Sequence, residues 1–248
     1  MIAVSILAMA AAILLLGVNL AGLMIRPYGR VRALPNFPRP AAAVPPVVGP
    51  QPGDGWQDHL RRLVDFLNTA IVHYTGANED AVSPFDNWIL WALKFTGKAA
   101  FRRYHFVRAS RALRRGYGLC SQHALTLVQL LKRVGIEANV AGFEGHVVAV
   151  VKRPDESWIL ADADYRVIVP RPIEEIRRDP ACIEPFYAAT QTPAARIAVL
   201  QGIYAGPMTL HSSRRRSWRL AVEDAAYGAK WLVPLLLLAA AAAHLWTR

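Results

Sequence analysis

The order of the sequence patterns along this chain of 248 residues predicts an α+β protein with a membrane-spanning helix on each side of its folded domain. Helical periodicity dominates residues 56–134, and apolar segments typical of antiparallel strands follow over residues 137–169. Long uncharged runs occupy residues 1–25 and 231–247. We therefore expect a helix packed on an antiparallel sheet, in a domain tethered to a lipid bilayer.

The first uncharged run is long enough to cross a membrane. Residues 1–25 carry no charged side chain, and a spanning helix needs about 20 apolar residues. A cleaved signal peptide is the alternative, but no Lys or Arg precedes the run, and the run exceeds the usual apolar stretch of about 7–15 residues. These features favour a transmembrane helix over residues 1–25.

The segments that follow predict a linker and then a folded domain over residues 56–213. Eight prolines within residues 26–55 predict an extended, semi-rigid linker. From Trp56 onward, apolar residues recur every three or four positions, which predicts a helix with one buried face. Further helical patterns appear around residues 85–95 and 101–114.

The second half of the domain combines helices with several strands. A helix is predicted over residues 121–134 and ends at Gly135, a residue type common at helix C-termini. Turns are expected at Gly142 and at residues 153–156. The strand-like segments cover residues 137–143, 146–151, 158–161 and 166–169. A further helix is predicted over residues 173–178, and no clear pattern emerges from there to residue 213.

The C-terminal part predicts a basic juxtamembrane segment, residues 214–230, and a second transmembrane helix, residues 231–247. At about 1.5 Å per residue, this uncharged run reaches roughly 25 Å. It therefore spans a bilayer only if the Lys230 side chain extends to the interface or the helix continues back through residues 225–229.

Charge is distributed unevenly along the chain, and this bears on topology. The chain has 29 Lys and Arg against 18 Asp and Glu, and all of them except Arg248 lie between the two uncharged runs. Basic clusters lie on the domain side of both runs, so the positive-inside rule predicts a cytoplasmic domain with both chain ends outside. Because long loops can cross regardless of charge, a periplasmic or extracellular domain is the alternative. No nucleic-acid-binding module is recognisable, and attraction to anionic lipid explains the basic excess more simply.

Three residues of the domain predict a catalytic centre: Cys120, His146 and Asp162. Cys120 follows a glycine-containing turn and opens the predicted helix, where the helix dipole stabilises a thiolate. His146 follows Gly145 in an apolar strand, and Asp162 ends a second apolar run. A thiol, an imidazole and an orienting carboxylate are the groups that covalent acyl transfer needs. Each alone is more often structural, and only their combination predicts an active site.

Neighbouring residues leave alternatives open. Asp164 could replace Asp162 as the orienting carboxylate, and His123 could line the cleft from the same helix as Cys120. Cys182 has no histidine nearby in the sequence and is expected to be structural. A zinc site built from these cysteines and histidines would lack the paired spacing of zinc ligands, and we predict neither a metal nor a cofactor.

Four short motifs carry the three residues. They are Gly-Leu-Cys-Ser-Gln-His-Ala at 118–124, Val-Gly-Ile-Glu-Ala at 134–138, Gly-His-Val-Val at 145–148 and Trp-Ile-Leu-Ala-Asp at 158–162. Together they resemble the core of the transglutaminase-like superfamily of papain-type cysteine enzymes, over residues 86–170. The resemblance implies that Cys120 is the nucleophile, His146 the base and Asp162 the orienting group.

The chain departs from that pattern at two places. Ser121 stands where several members carry an aromatic residue of the oxyanion site. Residues 162–164 read Asp-Ala-Asp where many members read Asp-Pro-Thr, so the second aspartate stays an alternative. We expect the backbone N–H of Cys120 as one oxyanion donor and the side chain of Tyr117 or Gln122 as another.

The resemblance implies a membrane-anchored thiol enzyme that forms a thioester acyl-enzyme on an amide or an ester. Water or an amine resolves the thioester, and the expected partners are a peptide, protein or other amide-bearing substrate and the lipid bilayer. An arylamine-acetyltransferase-like enzyme uses the same three residue types, but the residues after Cys120 do not resemble the cysteine motif of that family. A catalytically inactive binding module or membrane scaffold of the same fold is the alternative from a different class.

Overall fold

The computed structural model describes residues 2–25, 55–73, 82–102, 104–211 and 213–247. The predicted linker therefore lies, apart from its last residue, outside the described residues. The chain divides into two compact units. The first, here called the helical unit, contains residues 1–33, 76–104 and 218–248, and the second, the mixed unit, contains residues 34–75 and 105–217. The described residues 82–104, which we expected within the folded domain, thus belong to the same unit as the terminal helices.

The elements of the described residues are numbered in chain order. The helices are α1 (Ile2–Met24), α2 (Trp56–Ala70), α3 (Pro84–Leu93), α4 (Ala99–Arg102), α5 (Ala109–Arg115), α6 (Cys120–Arg133), α7 (Ile173–Arg178), α8 (Glu184–Ala188), α9 (Ala194–Ala205) and α10 (Ser213–Trp246). The strands are β1 (Val72–His73), β2 (Tyr117–Gly118), β3 (Ala138–Phe143), β4 (His146–Lys152), β5 (Trp158–Asp162), β6 (Val167–Pro172) and β7 (Met208–His211). This combination is the α+β class that the sequence predicts.

Two helices of the helical unit, α1 and the part of α10 from Trp218 to Trp246, are long and apolar enough to cross a membrane. Helix α10 is continuous from Ser213, so the basic segment 214–230 and the apolar segment 231–247 form one helix. The junction between the two segments contains several strong helix formers, which are Ala225, Ala226, Ala229 and Leu232. The second transmembrane candidate is therefore longer than the uncharged run alone.

Pro234 lies inside α10 and leaves a backbone carbonyl without its helical donor. Because proline has no N–H group, the carbonyl four residues earlier, that of Lys230, is freed. The side-chain amide of the buried Asn19 in α1 donates to this carbonyl at 2.6 Å. Helix α1 thus supplies the hydrogen bond that α10 lacks. Backbone groups inside a membrane need such partners because lipid offers none.

Lys230 is buried, and its side chain ties α10 to the start of α3. The residue is 4% exposed, and its ammonium donates to the backbone carbonyl of Asp86 at 2.6 Å. The hydroxyl of Tyr227, one turn earlier, donates to the Asp86 carboxylate at 2.8 Å. The sequence required either that the Lys230 side chain extend to the membrane interface or that the helix continue back through residues 225–229. The second of these is observed.

The mixed unit is built on a five-stranded antiparallel sheet with the strand order β6-β5-β4-β3-β7. In the β3–β4 hairpin, Ala138 pairs with Val151 and Phe143 with His146. Helix α6 packs on β3 and β4, which confirms the predicted helix against an antiparallel sheet. Helices α7, α8 and α9 cover the sheet through a second apolar cluster, which includes Val148, Val150, Leu160, Ile176, Ile183, Leu200 and Tyr204.

The single helix predicted around residues 101–114 is divided into α4 and α5. Between them, the backbone N–H of Phe106 donates to Oε1 of Gln122 at 2.8 Å, and the Phe106 carbonyl accepts from Nε2 of the same side chain at 2.9 Å. These bonds replace the helical ones at this position. Because the bonding partner comes from α6, local periodicity gives no sign of the break.

The turn predicted at Gly142 is wrong by two residues, since Gly142 lies in β3 and the turn is formed by Glu144 and Gly145. A Cβ atom at position 142 would lie 2.7 Å from Nε2 of His211 in β7. A larger residue at position 142 would therefore have to displace the His211 side chain. Strand β7, a four-residue edge strand, belongs to the region in which the sequence shows no clear pattern.

Candidate active site

Cys120 is the first residue of α6 and is partly exposed. The chain reaches it through β2, which pairs in parallel with β1 so that His73 lies opposite Gly118. A Cβ atom at Gly118 would lie 2.6 Å from Cβ of Gln122. Glycine at this position therefore lets the chain turn directly into the helix.

A buried arginine holds the turn before Cys120. Arg115 is 2% exposed and donates from Nε to the carbonyl of Tyr117 and from Nη2 to Oε1 of Gln122, both at 3.0 Å. Its guanidinium also lies over the rings of Phe106 and Tyr117. Charge-assisted bonds inside the fold therefore fix the position of the Cys120 backbone.

The two side chains expected as a second oxyanion donor are engaged in this network. Gln122 is fully buried, and its amide group serves Phe106 and Arg115. Tyr117 is 8% exposed and lies under the same arginine. Both side chains therefore contact Arg115 and help to hold the turn before Cys120.

The sheet brings His146 and Asp162 together. His146 begins β4 and Asp162 ends β5, and because these strands are antiparallel neighbours, the two residues lie at the same end of the sheet. Nε2 of His146 lies 2.7 Å from Oδ2 of Asp162. Both side chains are buried, at 2% and 1% exposed.

Charge interactions hold the His146 imidazole in its protonated form. Burial lowers the pKa of His146, but the charge and hydrogen bond of Asp162, followed by those of Cys120, outweigh burial and raise that pKa to about 10. Since Asp162 binds Nε2, the nitrogen left for Cys120 is Nδ1. A cysteine that faces an imidazolium can react as a thiolate.

Asp162 is held by three further hydrogen bonds. Its Oδ1 accepts from the backbone N–H groups of Asp164 at 3.1 Å and Tyr165 at 3.4 Å. Its Oδ2 also accepts from the hydroxyl of Tyr187 at 2.8 Å. The Tyr187 hydroxyl in turn lies 2.6 Å from the hydroxyl of Tyr204. Burial raises the pKa of both tyrosines well above the usual value, so both stay neutral donors.

Asp164, the alternative carboxylate, contacts a different histidine. Its Oδ2 lies 2.7 Å from Nδ1 of His73, and its Oδ1 lies 3.6 Å from Nδ1 of His123. The hydrogen bond that His73 donates to Asp164 raises the pKa of His73. Burial raises the pKa of Asp164, but the bond with His73 and the nearby histidine charges outweigh burial and lower it. Two histidine–carboxylate pairs therefore lie side by side.

His73 is a site residue that the sequence does not reveal. Its side chain is 41% exposed, and its ring stacks on that of His123 at a centroid distance of 6.5 Å. The charge of His146 lowers the pKa of His73. Among the described residues, Nε2 of His73 has no hydrogen-bond partner. Only the pairing of β1 with β2 brings this distant residue to the site.

His123 and Cys182 take structural positions. Nε2 of His123 lies 2.7 Å from the carbonyl of Ile71, and Nδ1 lies 3.2 Å from the carbonyl of Leu119. Cys182 packs against the apolar cluster of α7, α8 and α9, and both cysteines are free thiols. In the part of the chain that the structure describes, no group of three or more His, Cys, Asp or Glu side chains could hold a metal ion.

A cavity of about 890 Å³ adjoins the site and shares Asp164 and Tyr165 with it. The remaining wall comes from α2, the start of β6 and the segment after α8; it includes Arg61, Asp65, Asn68, Arg166, Gln191 and Pro193. Arg166 and Gln191 have positive φ angles of 62° and 60°. Such conformations are costly for residues other than glycine and are concentrated at functional sites. The cavity offers room for a part of a substrate remote from the reacting bond.

Comparison with known proteins finds no match: no family model, curated protein or solved structure matches this chain. What the site can do follows from its own atoms. It contains a partly exposed thiol that raises the pKa of the His146 imidazole, and a buried carboxylate 2.7 Å from that imidazole.

Proposed function

We propose that this chain is a membrane-anchored cysteine enzyme of the transglutaminase-like type, which forms a thioester acyl-enzyme on an amide or ester substrate. The observation that carries the proposal is the contact of His146 with both Cys120 and Asp162. A nucleophile at a helix start, with its base and orienting group on adjacent antiparallel strands, is the arrangement that the resemblance implies. The two helices that could cross a membrane support the anchor.

The first half of the reaction forms the acyl-enzyme. The thiolate of Cys120 attacks the substrate carbonyl carbon, and the carbonyl π electrons move to oxygen and give a tetrahedral oxyanion. The backbone N–H of Cys120 and Nε2 of His73 donate to this oxygen. His73 suits this role because it lies opposite Gly118, has its pKa raised by the hydrogen bond to Asp164 and keeps Nε2 available.

Collapse of the intermediate breaks the C–N or C–O bond. Nδ1 of His146 gives its proton to the departing amine or alcohol, and the acyl group stays on Cys120 as a thioester. Water or an amine then attacks this thioester, and His146 takes the proton of the attacking group. The C–S bond breaks and the thiolate returns. Hydrolysis and acyl transfer use the same residues and differ in the acceptor.

The proposal predicts a thiol that reacts in mildly acidic solution. At pH 6 an ordinary thiol, with a pKa of about 8.5, is on the order of 0.3% ionised. Alkylation of Cys120 by iodoacetamide should therefore be about 10–100-fold faster than that of glutathione. Cys182 is a control within the same chain, because burial raises the pKa of its thiol. Mass spectrometry of the two cysteine peptides measures both rates.

Two variants and a substrate analogue complete this test. His146→Ala should remove the excess reactivity and move the pH profile of Cys120 alkylation towards that of an ordinary thiol. p-Nitrophenyl acetate should give a burst of p-nitrophenol and an acetyl group on Cys120, and Cys120→Ala should give no burst. A Cys120 as slow as Cys182, together with the absence of a burst, would contradict the enzyme and favour a binding module of the same fold.

A further inference from the structure

Arg196 is a positively charged residue beside the site. It is the third residue of α9 and is half-buried. Its Nε donates to the hydroxyl of Tyr165 at 2.6 Å, and its guanidinium lies 5.7 Å from the centroid of that ring. Among the described residues, no acidic side chain lies within ion-pair distance of Arg196, and its two Nη groups donate to no residue.

The neighbours of Arg196 connect it to the proposed catalytic residues. The ring of Tyr165 packs edge-on against that of His146 at a centroid distance of 5.6 Å. The hydrogen bond with Tyr165 is the largest cause that raises the pKa of Arg196, and the charges of Tyr165, Asp164 and Cys120 add to it in that order. The charge of Arg196 in turn lowers the pKa of His73. Arg196 therefore lies close to the space in which a substrate carbonyl must sit.

Formation of an acyl-enzyme leaves the charge of Arg196 unbalanced. In the free site, the carboxylates of Asp162 and Asp164 are hydrogen-bonded to His146 and His73. In the proposed reaction Cys120 attacks as a thiolate, which is an anion near the Arg196 guanidinium. Acylation turns the thiolate into a neutral thioester, and an uncompensated cation in a partly buried site is unfavourable. An anionic group on the acyl portion would restore the balance.

We propose that the acyl substrate of this site carries a carboxylate and that Arg196 binds it. The planar guanidinium has two free Nη groups, which match the two oxygens of a carboxylate. Tyr165 accepts from Nε and so leaves the two Nη groups for a ligand. The inference rests on the proposed function, because it assigns the acyl group that Cys120 receives.

Two alkylating reagents of similar size test this charge preference without a known substrate. In both, Sγ of Cys120 displaces iodide from a methylene carbon; iodoacetate carries a carboxylate next to that carbon, and iodoacetamide carries a neutral amide. The full chain in detergent micelles is treated at pH 6, and mass spectrometry gives the rate for Cys120 with each reagent. We expect Arg196→Gln to lower the ratio of the iodoacetate rate to the iodoacetamide rate about tenfold. The iodoacetamide rate itself should change by less than about threefold.

Three matched variants separate a positioned charge from a general one. Arg196→Lys should keep most of the preference, because it keeps the charge. Tyr165→Phe should lower the ratio less than Arg196→Gln, because the charge stays but loses its anchor. Arg177→Gln removes the same charge from the exposed side of α7 and should leave the ratio unchanged.

The outcomes distinguish this inference from the proposed function. A ratio that is the same in Arg196→Gln and in the unmodified chain overturns the inference. Equal losses with both reagents also overturn it, since Arg196 would then act on the thiolate alone. A Cys120 that is no faster than Cys182 with either reagent contradicts the proposed function itself.

Discussion

Asp162 and Asp164 are separated by one residue, yet they contact different histidines. Asp162 ends β5 and contacts His146, whereas Asp164 follows in the turn and contacts His73. Each carboxylate raises the pKa of the histidine that it contacts. The proposed mechanism needs the proton of His146 for the leaving group, so activity should persist below the pKa of His146 and be lost as the pH rises through it.

This gives a prediction for Asp162→Asn. Loss of the carboxylate lowers the pKa of His146 from about 10, so the fall of turnover at high pH should move to a lower pH. The maximal rate should fall by about 10²–10⁴-fold, because the imidazole loses its orienting partner. The measurement is the pH profile of acylation by an amide substrate, acetyl p-nitroanilide, whose leaving amine must take a proton. Asp164→Asn is the matched control and should leave the fall of activity at high pH where it is in the unmodified chain. A larger shift of this fall in Asp164→Asn than in Asp162→Asn would make Asp164 the orienting group.

His73 carries a second prediction at this scale. His73→Gln should lower turnover about 10²–10³-fold, the usual loss for one oxyanion donor. Alkylation of Cys120 by iodoacetamide should not change, because displacement at a methylene carbon forms no oxyanion. His105→Gln is the control, since His105 contacts Ser121 at the start of the same helix. Equal losses in turnover and in alkylation would mean that His73 positions the thiol instead.

Local sequence predicts the residues of the site that lie next to recognisable boundaries. Cys120 opens a periodic helix, and His146 and Asp162 lie at the ends of apolar strands, so spacing alone suggests that they meet. His73 and Arg196 have no such signal. Each reaches the site through a pairing between distant segments, β1 with β2 in one case and the ring of Tyr165 with α9 in the other.

At the scale of elements, periodicity predicts the long segments and misses those that depend on contacts from elsewhere. Helix α6 and strands β3 to β6 fall within a few residues of the predicted ranges. The break between α4 and α5 depends on the Gln122 amide, and β7 is a strand because it pairs with β3. The continuity of α10 across Lys230 likewise involves Asn19 of α1.

Close contact between α1 and α3 in the helical unit gives a prediction for two glycines of the same helix. A Cβ atom at Gly22 would lie 1.6 Å from the carbonyl oxygen of Phe85, whereas nothing lies within 4 Å of one at Gly17. Gly22→Ala should therefore lower the free energy of unfolding by about 1–3 kcal/mol, the usual cost of overpacking. Gly17→Ala should be neutral or slightly stabilising, since Ala is the better helix former.

Thermal unfolding of the detergent-solubilised protein checks this pair. A loss of about 1 kcal/mol lowers the midpoint by roughly 2–4 °C in a protein of this size, so Gly22→Ala should fall at least that far below Gly17→Ala. Identical midpoints for the two variants would contradict the close approach of α1 to α3.

At the scale of the whole molecule, the candidate membrane helices and the proposed catalytic residues lie in different units. The helical unit contains both candidate membrane helices, and the proposed catalytic residues lie in the mixed unit. The chain carries a net charge of +11, and its basic clusters lie on the domain side of both apolar runs. Moving the domain across a membrane would take both clusters with it, which the positive-inside rule opposes.

We therefore predict that the mixed unit lies in the cytoplasm. Glu174 is exposed on α7, so Glu174→Cys introduces a thiol that a maleimide can reach, and Cys120→Ser with Cys182→Ser removes the two native thiols. In sealed cells or right-side-out vesicles, a membrane-impermeant maleimide should leave this cysteine unmodified, and it should react fully once the membrane is permeabilised. Added protease should likewise spare residues 56–213 until then. Rapid labelling before permeabilisation would place the site on the outer face, where its carboxylate-bearing acyl substrates would have to be sought among envelope or extracellular material.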